Sequence, residues 1–102
     1  MPLFRAKKEV FEWVKTGKKT IDLRKGKAYR GEIAFFVSGP QTLKLRIINK
    51  ETDRLENIVH KNNFKLIIPS AKTIADAVLY MQELYEGYDG VFTAYHLAPL
   101  EN

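Results

Sequence analysis

The sequence predicts a mainly β protein of the α+β class, in which short strands form a small β-barrel and helices flank it. Five segments combine apolar residues, alternating or continuous, with turn residues at their ends, a pattern typical of strands. Three other segments carry apolar residues at helical spacing. The predicted order is a strand, a helix, three strands, two helices and a return strand, which favours a closed or nearly closed barrel. We expect the 102 residues to form one domain covering residues 1–102.

A short strand and a helix open the chain. Leu3 and Phe4 predict a strand over residues 2–6. The helix predicted over residues 8–16 has its apolar residues on one face, and Gly17 suits the position just after the helix end. These apolar residues are expected to enter the core: Val10, Phe11, Trp13 and Val14.

The next strand, over residues 20–24, carries the candidate site. Because side chains alternate along a strand, Ile21 and Leu23 are expected to face one way. Thr20, Asp22 and Arg24 then face the other way, with Lys19 beside them. Few structural strands carry so many charged residues in a row, so we interpret this stretch as the site.

An apolar strand over residues 32–38 and an alternating strand over residues 42–49 predict a hairpin around a Ser-Gly-Pro-Gln turn. Asp53 is predicted to cap a short helix that runs to about residue 61. Residues 64–69 form an apolar segment that we interpret as a connector between helices.

A second long helix is predicted to run from residue 73 to about residue 85. Thr73 and Asp76 have the spacing of a capping box, and Ser70 is the competing candidate for the cap. Met81 and Tyr85 lie on the apolar face of this helix, so we expect both in the core. A closing strand is predicted over residues 91–97.

Positive charge is concentrated in the first third of the chain. The whole chain has a net charge of +5, but residues 1–31 contain ten Lys or Arg against three Asp or Glu, and the remainder seven against nine. A concentrated positive field favours polyanionic partners such as nucleic acid. A lysine-rich solubilising surface is the other interpretation.

The loop over residues 25–31 places cations on both sides of an aromatic ring: Lys25, Lys27, Tyr29 and Arg30. Single-stranded nucleic acid is bound in this way, with cations for the phosphates and a ring for a base. Alternatively, the loop is simply solvated and Tyr29 covers the end of the barrel.

Several classes of site are not expected. The chain has no cysteine, so disulfides, thiolate metal sites and a thiol nucleophile are excluded. His60 and His96 lie far apart without ligand spacing, so we expect no metal and no cofactor. No signal peptide or membrane span is apparent, and we expect a cytoplasmic protein without a membrane partner.

The pattern Gly17-x-Lys19-x-x-Asp22-x-Arg24 resembles the signature of the ASCH superfamily, whose members are relatives of the PUA domain. The resemblance extends along the chain, through Gly31-Glu32 before an apolar strand and the apolar residues 66–69 before a capped helix. It implies a PUA-like small β-barrel with a basic cleft that faces the helix preceding the signature. It also implies an RNA- or nucleotide-binding protein.

One branch of this superfamily hydrolyses the amide of N4-acetylcytidine with the signature lysine, a threonine three residues later and a glutamate before the last helix. Lys19 matches the lysine, whereas Asp22 and Ser70 stand in place of the other two residues. A small amidohydrolase or nuclease acting on modified nucleosides or RNA is therefore the alternative, with Lys19 and Asp22 as its catalytic residues.

Each signature residue suits binding for its own reason. Lys19 can offer an ammonium to phosphate or, if desolvated, act as a base. Arg24 can bind phosphate in a bidentate manner, and Asp22 can accept from the exocyclic amine of a base or act as a general base. An Asp22–Arg24 or Lys19–Asp22 ion pair that only fixes the barrel end is the other interpretation of these residues. A noncatalytic protein that binds a partner or senses a metabolite is a third functional class. The predicted nucleic-acid-binding residues are Lys18, Lys19, Thr20, Asp22, Arg24, Lys25, Lys27, Tyr29, Arg30 and Ser70.

Overall fold

A five-stranded sheet organises residues 2–100, the part of the chain that the computed structural model describes. Four helices are described with it, two of them only one turn long. In chain order the elements are β1 (Leu3–Arg5), α1 (Lys8–Lys15), β2 (Ile21–Lys25), β3 (Ile33–Ser38), β4 (Gln41–Arg54), α2 (Leu55–Ile58), α3 (Phe64–Ile67), α4 (Ile74–Leu84) and β5 (Val91–Pro99).

The strands lie in the order β1-β3-β4-β5-β2, so β1 and β2 are the two edges of the sheet. β1 pairs with β3 in parallel, and the other pairs are antiparallel. The long strand β4 pairs first with β3 and then with β5, and its register shifts at a bulge between Ile47 and Asn49. Bulges bend and twist a strand. The sheet curls into a half-barrel, which confirms the predicted sheet-dominated α+β architecture.

Each face of the sheet supports its own hydrophobic cluster. On one face, Phe4, Phe36 and Tyr95 pack with residues of α1. On the opposite face, Ile21 and Leu23 pack with residues of α2, α3 and α4. This division follows the predicted alternation of β2, and it leaves Asp22 and Arg24 on the face that α1 covers.

The segment between residues 49 and 69 differs from its prediction. β4 continues to Arg54, because β5 supplies backbone partners as far as Val91. The helix predicted over residues 53–61 is reduced to α2, and Asp53 does not cap it. The Asp53 carboxylate instead accepts hydrogen bonds from the Arg54 N–H at 2.7 Å and the Asn57 side chain at 3.0 Å.

The predicted apolar connector contains the one-turn helix α3. The preceding residue, Asn63, is buried and organises the turn with its side chain. Its amide donates to the Ile58 carbonyl at 2.8 Å, and its oxygen accepts from the His60 N–H at 2.8 Å. This pattern of bonds lets the chain reverse between α2 and α3 with its polar groups satisfied.

The capping box predicted for α4 is present. The Thr73 hydroxyl accepts from the Asp76 N–H at 3.1 Å, and the Asp76 carboxylate accepts from the Thr73 N–H at 3.2 Å. Ser70, the competing candidate, lies in the turn before the helix.

We therefore expect Thr73→Ala to lower the free energy of unfolding by about 1 kcal/mol, because one N–H of the first turn loses its acceptor. Urea unfolding followed by circular dichroism measures the change. Ser70→Ala is the matched control and should change the midpoint little. An equal effect of both substitutions would contradict the assignment of the cap.

Candidate functional site

The turn between α1 and β2 brings Lys19 into the interior. Gly17 adopts a left-handed conformation, with φ of 79°, just after the end of α1. The Lys19 N–H then donates back to the Trp13 carbonyl at 3.0 Å, and the Thr20 N–H donates to Leu66 at 3.1 Å. Residues other than glycine adopt this left-handed backbone conformation only at a cost in free energy, so glycine at position 17 allows the tight reversal. Lys19 is consequently folded inward instead of extending from the helix end.

Lys19 is a buried amine, with only 4% of its surface exposed. Its ammonium donates a hydrogen bond to the Ile67 carbonyl in α3. Burial lowers the pKa of Lys19 to about 8, against an opposing effect of the Asp22 carboxylate and with a further lowering by Arg24. Near pH 8 the side chain is therefore divided between a cation and a neutral amine.

Asp22 and Arg24 form an ion pair next to this amine. Arg24 Nε lies 2.5 Å from Asp22 Oδ2, and Nη2 lies 3.4 Å from Oδ1. Although burial opposes it, the Asp22 carboxylate raises the pKa of Arg24. The Arg24 guanidinium also donates to the Arg5 carbonyl at 2.9 Å and lies 4.5 Å from the centre of the Phe4 ring. The ion pair that we considered from the sequence is thus formed, and it reaches across to β1.

The three signature residues Lys19, Asp22 and Arg24 line a single pocket of about 150 Å³, which we call the signature pocket. Arg5, the last residue of β1, and Lys7, in the connection from β1 to α1, also line the pocket, and both are exposed cations. The pocket is also lined by three residues of α4 and by the residue that caps its end: Tyr80, Met81, Leu84 and Tyr85. The pocket therefore combines cations, one carboxylate and aromatic rings.

A second, wider pocket adjoins the first one. We call it the tyrosine pocket, because Tyr29, Tyr85 and Tyr88 line its volume of about 470 Å³. It shares Arg24 and Tyr85 with the signature pocket, so these two side chains stand between the two spaces. Lys25 also lines it, with its ammonium 4.7 Å from the centre of the Tyr88 ring.

Tyr29 fits both interpretations given to its loop. Its ring stacks on the buried Tyr95 with centroids 6.4 Å apart and an angle of 12°, as expected of a residue that covers part of the core. Yet 53% of Tyr29 is exposed. Its N–H donates to the Tyr95 hydroxyl at 2.9 Å, and its carbonyl accepts from Lys50 at 2.7 Å. The loop thus holds an aromatic ring in place with its outer side open.

The remaining predicted residues lie outside the signature pocket. Lys18, Lys27 and Arg30 are exposed in loops. Thr20 lines a third space of about 310 Å³ between the end of α1 and the end of β5, which shares Lys19 with the signature pocket. Ser70 is exposed before α4 and is not among the residues that line the signature pocket.

Sequence reasoning missed the contribution of α4 and of the β1–α1 connection. Tyr85 was assigned to the core, and its ring does pack on Phe92 with centroids 5.5 Å apart. No sequence pattern distinguishes a pocket residue of this helix from a core residue, because both kinds recur at the same helical spacing. The only sequence feature that pointed to Arg5 and Lys7 was the excess of basic residues in the first third of the chain.

Two negative observations apply to residues 2–100. No group of three histidine, aspartate or glutamate side chains is arranged to hold a metal ion. None of the helices described there has the length and apolar character needed to cross a membrane.

Two solved structures share this fold. The crystal structure of hypothetical protein PH0355 has a TM-score of 0.74 and 20% identity, and the match covers 96% of this chain and 97% of that one. The solution structure of PF0455 from Pyrococcus furiosus has a TM-score of 0.69 and 21% identity, with 99% and 98% covered. No family model and no curated protein matches the chain. At such identities the similarity shows the fold alone.

The buried amine gives stability a dependence on pH. Because the pKa of Lys19 falls from 10.5 to about 8 on folding, the unfolded chain binds more protons between these values, and the free energy of unfolding rises with pH there. Lys19→Met should remove this component, which amounts to about 3 kcal/mol. Relative to the wild type, the variant should be most stabilised below pH 8 and lose that advantage towards pH 10.5.

Urea unfolding of both proteins from pH 7 to 11 measures the difference. Lys15→Met is the matched control, since it removes an exposed lysine of α1 without releasing a buried amine. A constant difference between wild type and Lys19→Met across this range would contradict the assignment.

Removing one member of the Asp22–Arg24 ion pair should lower the free energy of unfolding more than removing both members. Arg24→Met leaves the buried Asp22 carboxylate without its guanidinium partner and should lower the free energy of unfolding by about 3 kcal/mol. The double variant Asp22→Leu/Arg24→Met removes both charges and should lose less than Arg24→Met alone. Thermal and urea unfolding at pH 7 test this order. A larger loss in the double variant would show that the carboxylate is satisfied without Arg24.

Proposed function

We propose that this protein binds RNA or nucleotides and that the signature pocket receives one nucleotide unit. The observation that carries the proposal is the convergence of Lys19, Asp22 and Arg24 on one pocket that tyrosine side chains also line. Such a set offers charge for phosphate, hydrogen bonds for a base edge and a ring for stacking. We also propose that the chain is a member of the ASCH superfamily, with residues 17–24 as its signature.

The size of the signature pocket suits the ring of a base. An apolar cavity of about 150 Å³ in another protein holds one benzene molecule, and the signature pocket has about this volume. A six-membered ring can enter while the sugar and phosphate stay at the mouth. Asp22 is already held by Arg24, and each carboxylate oxygen retains a second lone pair for the exocyclic amine of a base.

The phosphates would meet the exposed cations around the mouth. Arg5 and Lys7 line the signature pocket, and Lys25 lines the adjoining tyrosine pocket. Lys27 and Arg30 continue the same loop on the surface. This placement accounts for the excess of positive charge in the first third of the chain, which a solubilising role alone would not restrict to one region.

Binding of single-stranded RNA should therefore weaken with salt. For about four phosphate contacts, the logarithm of the binding constant should fall with the logarithm of salt concentration with a slope near −3. Fluorescence anisotropy with a labelled 12-nucleotide RNA between 50 and 300 mM potassium chloride measures this slope.

Lys19→Met should weaken binding about tenfold or more, since it removes a charged donor. Lys61→Ala, in the turn between α2 and α3, is the control and should bind as the wild type does. Binding that responds neither to salt nor to Lys19→Met would contradict the proposal.

An amidohydrolase or nuclease acting on modified nucleosides or RNA is the second candidate, and the lowered pKa of Lys19 favours it. A neutral amine available near pH 8 can take a proton from water or from a ribose hydroxyl, and the Asp22 carboxylate would stabilise the ammonium that forms. Turnover of acylated cytidines or of RNA should then rise as the pH passes through about 8 and vanish in Lys19→Met. A purified protein that is inert on both substrate classes from pH 6 to 9 would retire this candidate.

A further inference from the structure

We infer that the ligand is a single-stranded oligonucleotide bound over two adjacent subsites, with one base in the signature pocket and the neighbouring base in the tyrosine pocket against Tyr29. This inference rests on the proposed function and adds the minimum ligand, which is a dinucleotide. It also assigns to Tyr29 the role of a stacking residue.

The two pockets are arranged as neighbouring subsites. They share Arg24 and Tyr85, so a ligand that fills the signature pocket meets the tyrosine pocket as soon as it extends past these side chains. The shared guanidinium lies where the phosphate between two nucleotides would pass, and arginine binds phosphate well through its planar array of donors. A mononucleotide would leave the wider pocket, of about 470 Å³, in contact with water.

Tyr29 is held as a platform. One side of its ring stacks on Tyr95, and its backbone is fixed by the Tyr95 hydroxyl at 2.9 Å and by the Lys50 ammonium at 2.7 Å. Tyr29 as a whole residue is 53% exposed, so part of it is open to a ligand. A ring fixed in this way loses little conformational entropy when a base stacks on it, which favours binding.

The chemistry of the tyrosine pocket selects a base and not an acidic peptide. Three of its six lining residues are tyrosines, and every base can stack on an aromatic ring irrespective of sequence. Lys25 and Arg24 stand at its sides and match the charge of a nucleotide backbone. The Lys25 ammonium already lies 4.7 Å from the centre of the Tyr88 ring. A base that stacks on this face of Tyr88 would take the place of the ammonium.

The test compares cytidine 3′,5′-bisphosphate (pCp) with the 5′-phosphorylated dinucleotide pCpC by isothermal titration calorimetry. Both ligands carry the first base and two phosphate groups, and only pCpC carries a second nucleoside. We expect pCpC to bind about tenfold more tightly, the gain from stacking one base on a tyrosine. Tyr29→Leu should reduce the ratio of the two dissociation constants to near one, and Tyr29→Phe, which keeps the ring, should preserve it.

Each result decides between the inference and the function on which it rests. Binding of pCp with no gain for pCpC in the wild type would overturn the two-subsite inference and leave nucleotide binding in place, whether or not Tyr29→Leu folds. A preference for pCpC that survives in Tyr29→Leu would overturn the role of Tyr29. Failure of the wild type to bind pCp, pCpC or a 12-nucleotide RNA would overturn the proposed function and this inference with it.

Discussion

The half-barrel depends on one guanidinium at its open seam. Strands β1 and β2 are the two edges of the sheet, and no ladder of backbone hydrogen bonds joins them within residues 2–100. Arg24 of β2 crosses this gap, donates to the Arg5 carbonyl and lies over the Phe4 ring, while the Asp22 carboxylate holds it from behind. A side chain thus takes the part that strand pairing plays elsewhere in the sheet, and its buried partner makes that contact expensive to lose.

The same contacts shape the candidate site. Arg24 is fixed by the Asp22 carboxylate and by the Arg5 carbonyl. Its part of the lining of the signature pocket is therefore formed before any ligand enters. Lys19 stands beside the pair and is fixed in turn by the Ile67 carbonyl. Preorganised polar groups lose little freedom on binding, which increases the affinity that they can contribute. The charges also limit each other, since Asp22 favours and Arg24 opposes the charged form of Lys19.

Much of the fold could be predicted from local patterns, and the exceptions have physical reasons. The division of β2 into two faces follows from its alternation, and the capping box at Thr73 needs only residues close in sequence. The extension of β4 to Arg54 has no such signal, because residues 50–54 are polar and are held by the backbone of β5. The spacing of Lys19, Asp22 and Arg24 and the family resemblance predict their convergence, whereas Tyr85 reaches the pocket only because α4 packs on the face that carries Ile21 and Leu23.

The seam has a consequence for self-association. An edge strand with free N–H and C=O groups is a template on which another chain can add a strand and begin an aggregate. Arg24 occupies the Arg5 carbonyl from its own molecule, and its charge lies in the path of any strand that approaches the gap. A cation at the seam therefore opposes the addition of a strand from another molecule to this partly open sheet.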